Sequence, residues 1–239
     1  MASPKRLFTN NWQDELWLVA GGIFGGSLYF FTENTALGIT QASNVSFIIC
    51  TAPLLTTILS LLFYKSEKAS KGLIYGSLLA LMGVGLIVFN GSFVLKISPI
   101  GDLLTLLAAL SWAFYSLIIK KMARRYPTVF ITRKIFFYGV LTILPAFLLH
   151  PLQPDTAVLL QPAVLFNLLF LAVLASLICY VLWNVVLKQL GTVRASNYIY
   201  LNPLVTMIAS FLILDEKITL VALGGAACIV CGVYWAEKK

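Results

Sequence analysis

The sequence predicts an all-α polytopic membrane protein with eight transmembrane helices, three plus five of an inverted five-plus-five repeat. Three observations lead there. The chain is 60% hydrophobic and only 11% charged, with a mean hydropathy of +0.92, whereas soluble domains carry about 25% charged residues. A chain this apolar could not cover its surface in water, so the bilayer is its natural solvent. Long apolar runs recur along the chain, and one stretch is written twice.

Taken in order, residues 1–13 form a polar cytoplasmic tail, and apolar runs then fall at roughly 16–38, 43–64, 72–91, 100–119, 135–150, 163–187, 195–214 and 218–236, each measured against the about 20 residues that a span needs. The run 135–150 is short, and Arg133 and Lys134 are placed to snorkel from its end to the interface. Lys5 and Arg6 are followed by polar residues, so no cleavable signal is read.

Lysine and arginine set the orientation. With the N-terminus inside and eight alternating spans, every one of the 17 basic residues except Lys96 and Lys217 falls on the cytoplasmic side. This is a strong positive-inside bias, consistent with both termini in the cytoplasm. The net charge of +8 is therefore membrane-orienting. It lies between apolar runs and makes no continuous patch for nucleic acid.

The repeated stretch is Asn34 to Pro53, NTALGITQASNVSFIICTAP, and its second copy is Asn184 to Pro203, NVVLKQLGTVRASNYIYLNP. Asn34, Leu37, Ser46, Ile49, Pro53, Leu54 and Thr56 recur as Asn184, Leu187, Ser196, Ile199, Pro203, Leu204 and Thr206. An acid-lysine pair follows each copy, Glu67-Lys68 and Glu216-Lys217, and then a glycine-bearing apolar run. The first pair falls inside and the second outside, so the copies are inverted about an axis in the membrane plane. Residues 14–95 read as a partial first copy of three helices and 96–239 as a second copy of five. Symmetry then predicts two further N-terminal spans, lacking either because the chain starts at an internal methionine or because it is truncated.

Glu33 is the one acidic residue deep within an apolar run. A carboxylate there takes a proton, pairs, or faces water, which makes Glu33 the candidate for proton coupling or for recognising a substrate amine. Its bland alternative is a neutral acid bonded to a neighbouring helix. Tyr180, Trp183 and Asn184 share one helix face, Trp112 and Tyr115 another, and Tyr198 and Asn202 a third. Polar-tipped aromatics within spans need partners or a wet cavity, so these residues with Glu33 and Asn34 are the candidate substrate-binding set; interfacial anchoring and interhelical packing are the alternatives. Pro53, Pro145 and Pro203 lie inside spans, and the equivalent pair Pro53 and Pro203 reads as paired hinges or as static kinks. Gly21-Gly22, Gly25-Gly26, Gly83, Gly85 and Gly224-Gly225 read as surfaces for close helix approach.

No P-loop, HExxH or GxSxG motif is present, and no catalytic constellation, metal site or cofactor is expected. Cys50, Cys179, Cys228 and Cys231 all sit in apolar runs and read as packing residues; His150 reads as interfacial, and Asp102 and Asp155 as solvated.

The run LGITQASNVSFIICTAPLLTTILSLLFYKSEKASKGLIYGSLLALMGVGLIVFNG resembles EamA-type members of the drug/metabolite transporter superfamily, and VRASNYIYLNPLVTMIASFLILDEKITLVALGGAACIVCGVYW repeats the pattern. LLAALSWAFYSLIIKK is similar to the opening span of that family's second half. The resemblance implies a ten-helix inner-membrane carrier with a central cavity between inverted five-helix halves. It implies export of amino acids, related metabolites or drugs without ATP hydrolysis.

The expectation is a secondary transporter working by alternating access on a small-molecule substrate. The bilayer and a homodimer stand as partners, and nucleic acid does not. A truncated, non-transporting remnant or accessory subunit is the alternative. An intramembrane enzyme has no motif in its favour, and nucleotide-sugar carriage lacks a mid-span basic residue to meet phosphate.

Overall fold

The computed structural model describes residues 8–64, 70–89, 98–149, 156–214 and 218–238. The pairs Glu67-Lys68 and Glu216-Lys217, together with His150 and Asp155, lie outside the described residues. The described residues are helical throughout, with no strand among them. α1 (Trp12–Gly22) runs through a π-helical segment, Ile23–Ser27, into α2 (Leu28–Ile39). Then come α3 (Ala42–Ile49), α4 (Ala52–Phe63), α5 (Lys71–Phe89), α6 (Pro99–Met122), α7 (Thr128–Leu149) and the short α8 (Thr156–Leu159). α9 (Pro162–Leu169) continues through a second π segment, Phe170–Ile178, into α10 (Cys179–Leu190). α11 (Thr192–Asn197), a 3-10 turn at Tyr198–Leu201, α12 (Asn202–Leu214) and α13 (Leu220–Glu237) complete the order.

Seven of these stretches are long and apolar enough to cross a membrane. They correspond to all the predicted runs but 16–38. That run lies in a continuous helical stretch from Trp12 to Ile39, but Ser27, Thr32, Glu33, Asn34 and Thr35 make it more polar than the others. The short run 135–150 belongs to a helix that begins at Thr128. Arg133 and Lys134 are therefore inside α7, and Lys134 is buried and ion-paired where snorkelling was expected.

Pro53 and Pro203 each stand just after a helix break. Pro53 occupies the first turn of α4, and a turn at Cys50–Thr51 separates it from α3. Pro203 occupies the first turn of α12, and the 3-10 turn separates it from α11. Proline has no N–H to donate to the preceding turn, so the first turn of a new helix is where it costs least. The Thr51 N–H and hydroxyl both donate to the Ile48 carbonyl, at 2.9 and 2.6 Å, and close the turn between α3 and α4. Pro145 lies within α7.

The chain forms two compact units. One holds Met1–Ser27 and Ile118–Gly191, the other Leu28–Leu117 and Thr192–Lys239. In the first, α1 and its π segment pack along α7. A Cβ on Gly22 would lie 2.6 Å from the Tyr138 Cβ, so only glycine permits this approach. In the second, α5 and α13 run antiparallel, Gly76 against Gly232 and Gly83 against Gly225. A Cβ on Gly83 would lie 2.5 Å from the Gly225 carbonyl oxygen, and one on Gly225 2.7 Å from that of Gly83. Cys50, Ala80, Val84, Tyr200, Ile229 and Val233 form the core beside this seam.

Candidate functional site

α2 carries Tyr29 and Glu33 one turn apart, on one face. The Tyr29 hydroxyl donates to Glu33 Oε1 at 3.0 Å. Trp112 and Tyr115 stand one turn apart on α6, with ring centroids 5.2 Å from each other. Tyr29 joins the two helices, because its ring centroid lies 5.1 Å from that of Trp112 at a tilt of 49°. The result is an aromatic row, Tyr29–Trp112–Tyr115, with a carboxylate at one end. Tyr115 is fully buried, while Tyr29, Glu33 and Trp112 are half-buried. Among the described residues no basic side chain pairs with Glu33; its partner is the Tyr29 hydroxyl.

The other unit contains a second polar group. Tyr180 and Asn184, one turn apart on α10, are both buried. The Tyr180 hydroxyl donates to the Gly25 carbonyl at 2.7 Å, and its ring lies 5.1 Å from that of Phe136. Gly25 sits in the π segment, whose widened turn upsets the normal carbonyl pairing. Asn184 Nδ2 donates to Thr132 Oγ1 on α7 at 2.9 Å. Trp183 is half-buried on the same helix.

The remaining expected residues stand apart from these groups. Asn34 is exposed, and its side chain donates to its own helix at the Phe30 carbonyl, 2.8 Å away. Tyr198 and Asn202 are exposed at the 3-10 turn and the start of α12. An open groove of about 770 Å³ lies in the same unit as Glu33, but its walls are apolar, including Phe47, Tyr75, Leu78, Met82 and Trp235. It contains none of the expected site residues.

A third cluster was not anticipated. Asp14 and Glu15, at the head of α1, are only 2% and 7% exposed, and Lys134 only 6%. Asn11 caps α1, its side chain accepting from the Asp14 N–H at 2.8 Å. Arg125 pairs with Asp14 at 2.7 Å, and the Tyr126 hydroxyl donates to the other Asp14 oxygen at 2.8 Å. Lys134 and Tyr138 both donate to Glu15 Oε1. The Thr9 hydroxyl and N–H donate to Oε2 at 2.7 and 3.1 Å. Burial pushes the Glu15 carboxyl up, but the bonds from Lys134, Tyr138 and Thr9 outweigh it and hold it at about 2.

Two features of these clusters had signals in the sequence. Tyr29 is four residues before Glu33, the spacing at which helical side chains meet. Asp14 and Glu15 are two acids at the head of an apolar run, in a chain with basic residues to spare. Nothing in the sequence pairs them with Arg125 and Lys134 in particular.

Comparison with known proteins bears on what these clusters serve. The EamA-like transporter family matches residues 2–89 and 99–236. An uncharacterized transporter of Archaeoglobus fulgidus is 30% identical over 217 residues, covering 90% of this chain and 73% of that protein. A probable amino-acid metabolite efflux pump of Salmonella typhimurium is 29% identical over 182 residues, covering 72% of this chain and 60% of the pump. Another such pump, from Escherichia coli, is 24% identical, covering 83% of this chain and 69% of the pump. One solved crystal structure superposes with a TM-score of 0.76 at 19% identity, over 95% of this chain and 77% of that one, a likeness of fold.

Proposed function

The chain belongs to the EamA-like transporter family, and from that premise we propose that it exports small metabolites, amino acids among them, across the inner membrane. It is a multi-pass membrane protein, not an enzyme. The proposed exporter works by alternating access, with both termini in the cytoplasm.

The observation that carries the reading is the family match over residues 2–89 and 99–236, two successive stretches that suit the proposed pair of related copies. The α5–α13 seam supports their inversion. With the offset that relates Glu67 to Glu216, Gly76 corresponds to Gly225 and Gly83 to Gly232. The contacts cross these equivalences, Gly76 meeting Gly232 and Gly83 meeting Gly225. Reciprocal contacts of this kind are what a two-fold axis produces. We assign residues 14–95 and 96–239 to the two copies, with the helix breaks before Pro53 and Pro203 as paired hinges.

Glu33 is the proposed proton-coupling group, on the ground that it carries no counter-charge at the depth of a proposed span. Tyr29, Trp112 and Tyr115 are proposed to form the substrate wall with it, while Tyr180, Trp183 and Asn184 of the other unit stand as a separate candidate polar group. Pumps named for amino-acid metabolites among the relatives favour that substrate class.

The test is an export profile. Cells overproducing the protein are loaded with dipeptides, and released amino acids are measured over time against cells without it. Faster release of one or more amino acids, slowed by Glu33→Gln and made insensitive to the proton gradient, is the expected result. Identical release with and without the protein, for amino acids and for a panel of toxic amines, would sink the reading.

A further inference from the structure

The carboxylate of Glu33 has one hydrogen-bond partner, the Tyr29 hydroxyl, and no counter-ion among the described residues. Resting on the transporter reading, we propose that the Glu33–Tyr29–Trp112 cluster binds the ammonium group of a monovalent organic amine, seated between the carboxylate and the aromatic faces.

The argument is one of charge and geometry. A buried acid is ordinarily paired, as Glu15 is with Lys134. Glu33 has no cationic partner among the described residues, only the Tyr29 hydroxyl on Oε1. Oε2 accepts no hydrogen bond among the described residues. An ionised Glu33 therefore calls for a cation from outside the chain.

The aromatic row narrows the kind of cation. A hydrated metal ion would be met by oxygen ligands, and no three His, Cys, Asp or Glu side chains cluster for a metal anywhere among the described residues. The hydrogen-bond partner of Glu33 is instead the hydroxyl of an aromatic side chain that itself lies in a row of rings. Tyr29 is bonded to the carboxylate, its ring is 5.1 Å from Trp112, and Trp112 is 5.2 Å from Tyr115. An organic ammonium is attracted to such faces from within about 6 Å of a ring centroid. Its apolar body suits the apolar surroundings, and a primary amine retains donors for Glu33. Anionic solutes meet like charge, and neutral ones leave the carboxylate uncompensated.

Tyr29 has a positioning role. Its hydroxyl fixes Oε1, so that the acid and the ring that carries the hydroxyl face a ligand as one unit. Trp112 provides the larger π surface.

The measurement is calorimetric titration of the purified full chain in lipid nanodiscs at pH 7 with three probes of one shape: phenethylamine, phenethyl alcohol and 3-phenylpropionate. Phenethylamine is expected to bind at least tenfold more tightly than the other two. Glu33→Gln is expected to abolish that preference, Trp112→Leu to weaken amine binding severalfold, and Trp112→Phe to restore part of it. Equal affinity for amine and alcohol in the unaltered protein overturns the proposal without relying on a variant that might misfold. So does an amine preference that survives Glu33→Gln.

Failure here and failure of the transporter reading give different results. Export of amino acids without amine-selective binding removes this site and leaves the transporter. Amine-selective binding in a protein that moves no solute in vesicles leaves the site and removes the transporter.

Discussion

Lys134 donates to the carboxylate of Glu15 from 119 residues further along the chain, and both side chains are buried. With Arg125 of the turn before α7 on Asp14, this fastens the head of α1 a second time, besides the glycine contacts that α1 and its π segment make with α7 at Gly21, Gly22 and Gly26. Taking away one member of a buried pair strands the other charge, at a cost of about 3–5 kcal/mol. Lys134→Met and Glu15→Gln are each expected to lower the thermal midpoint of the purified protein markedly. The double variant should lose less than the sum of the two. A double-mutant cycle read by thermal unfolding in detergent checks this; additive losses would mean the pair is not coupled.

Glu15 also sets a pH dependence. Its native value of about 2 lies below the ordinary 4.5, so the folded state resists protonation more than the unfolded chain does. The associated stability is complete above about 4.5 and is lost as pH falls through about 2. Thermal midpoints taken between pH 6 and pH 2 should fall in the unaltered protein. They should fall less steeply in Glu15→Gln. Parallel curves would show that Glu15 does not contribute.

The seam between α5 and α13 makes a paired prediction. Gly83→Leu and Gly225→Leu both force a side chain into backbone, and overpacking of this kind costs about 1–3 kcal/mol or more. Gly224→Leu is the control, because a Cβ there meets nothing within 4 Å. Yield of monodisperse protein by size-exclusion chromatography should drop for the first two and hold for the third.

Tyr180→Phe tests the π segment. The substitution leaves the ring against Phe136 but removes the donor to the Gly25 carbonyl. A buried acceptor left unmet costs about 1–3 kcal/mol. Hydrogen exchange of the amides around Ile23–Ser27 should quicken, while that in α13 stays unchanged. Equal exchange in both regions would argue against a specific role for the hydroxyl.

Much of the architecture was legible in the residues because hydropathy is a local signal. The apolar runs from 43–64 onward follow from composition, whereas Pro53 and Pro203, expected within spans as hinges or kinks, stand in the first turn of a new helix. The site was only partly legible. Trp112 and Tyr115 lie side by side as their spacing suggested, and Tyr29, which was not among the expected residues, links them to Glu33; Asn34 bonds its own backbone, a choice of rotamer that no pattern encodes. Asp14 and Glu15 stand side by side at the head of an apolar run. Their burial depends on Arg125 from the turn before α7 and Lys134 from α7 itself, and pairing across more than a hundred residues leaves no periodic trace. The placement of Lys134 at the edge of an apolar run pointed toward the interface, whereas its partner draws it inward.

The glycine seam also bears on biosynthesis. Gly83 meets Gly225 and Gly76 meets Gly232, so α5 enters the membrane long before its main neighbour exists. At about 5–20 residues per second of synthesis, α5 waits on the order of 10–30 seconds with its narrow, small-residue face open to lipid or to whatever insertion machinery holds it. The last helix made is the one that closes the seam. A ribosome stalled or a chain cut before α13 would therefore leave more than a shortened protein: it would leave an early helix without its mate, a natural handle for membrane quality control.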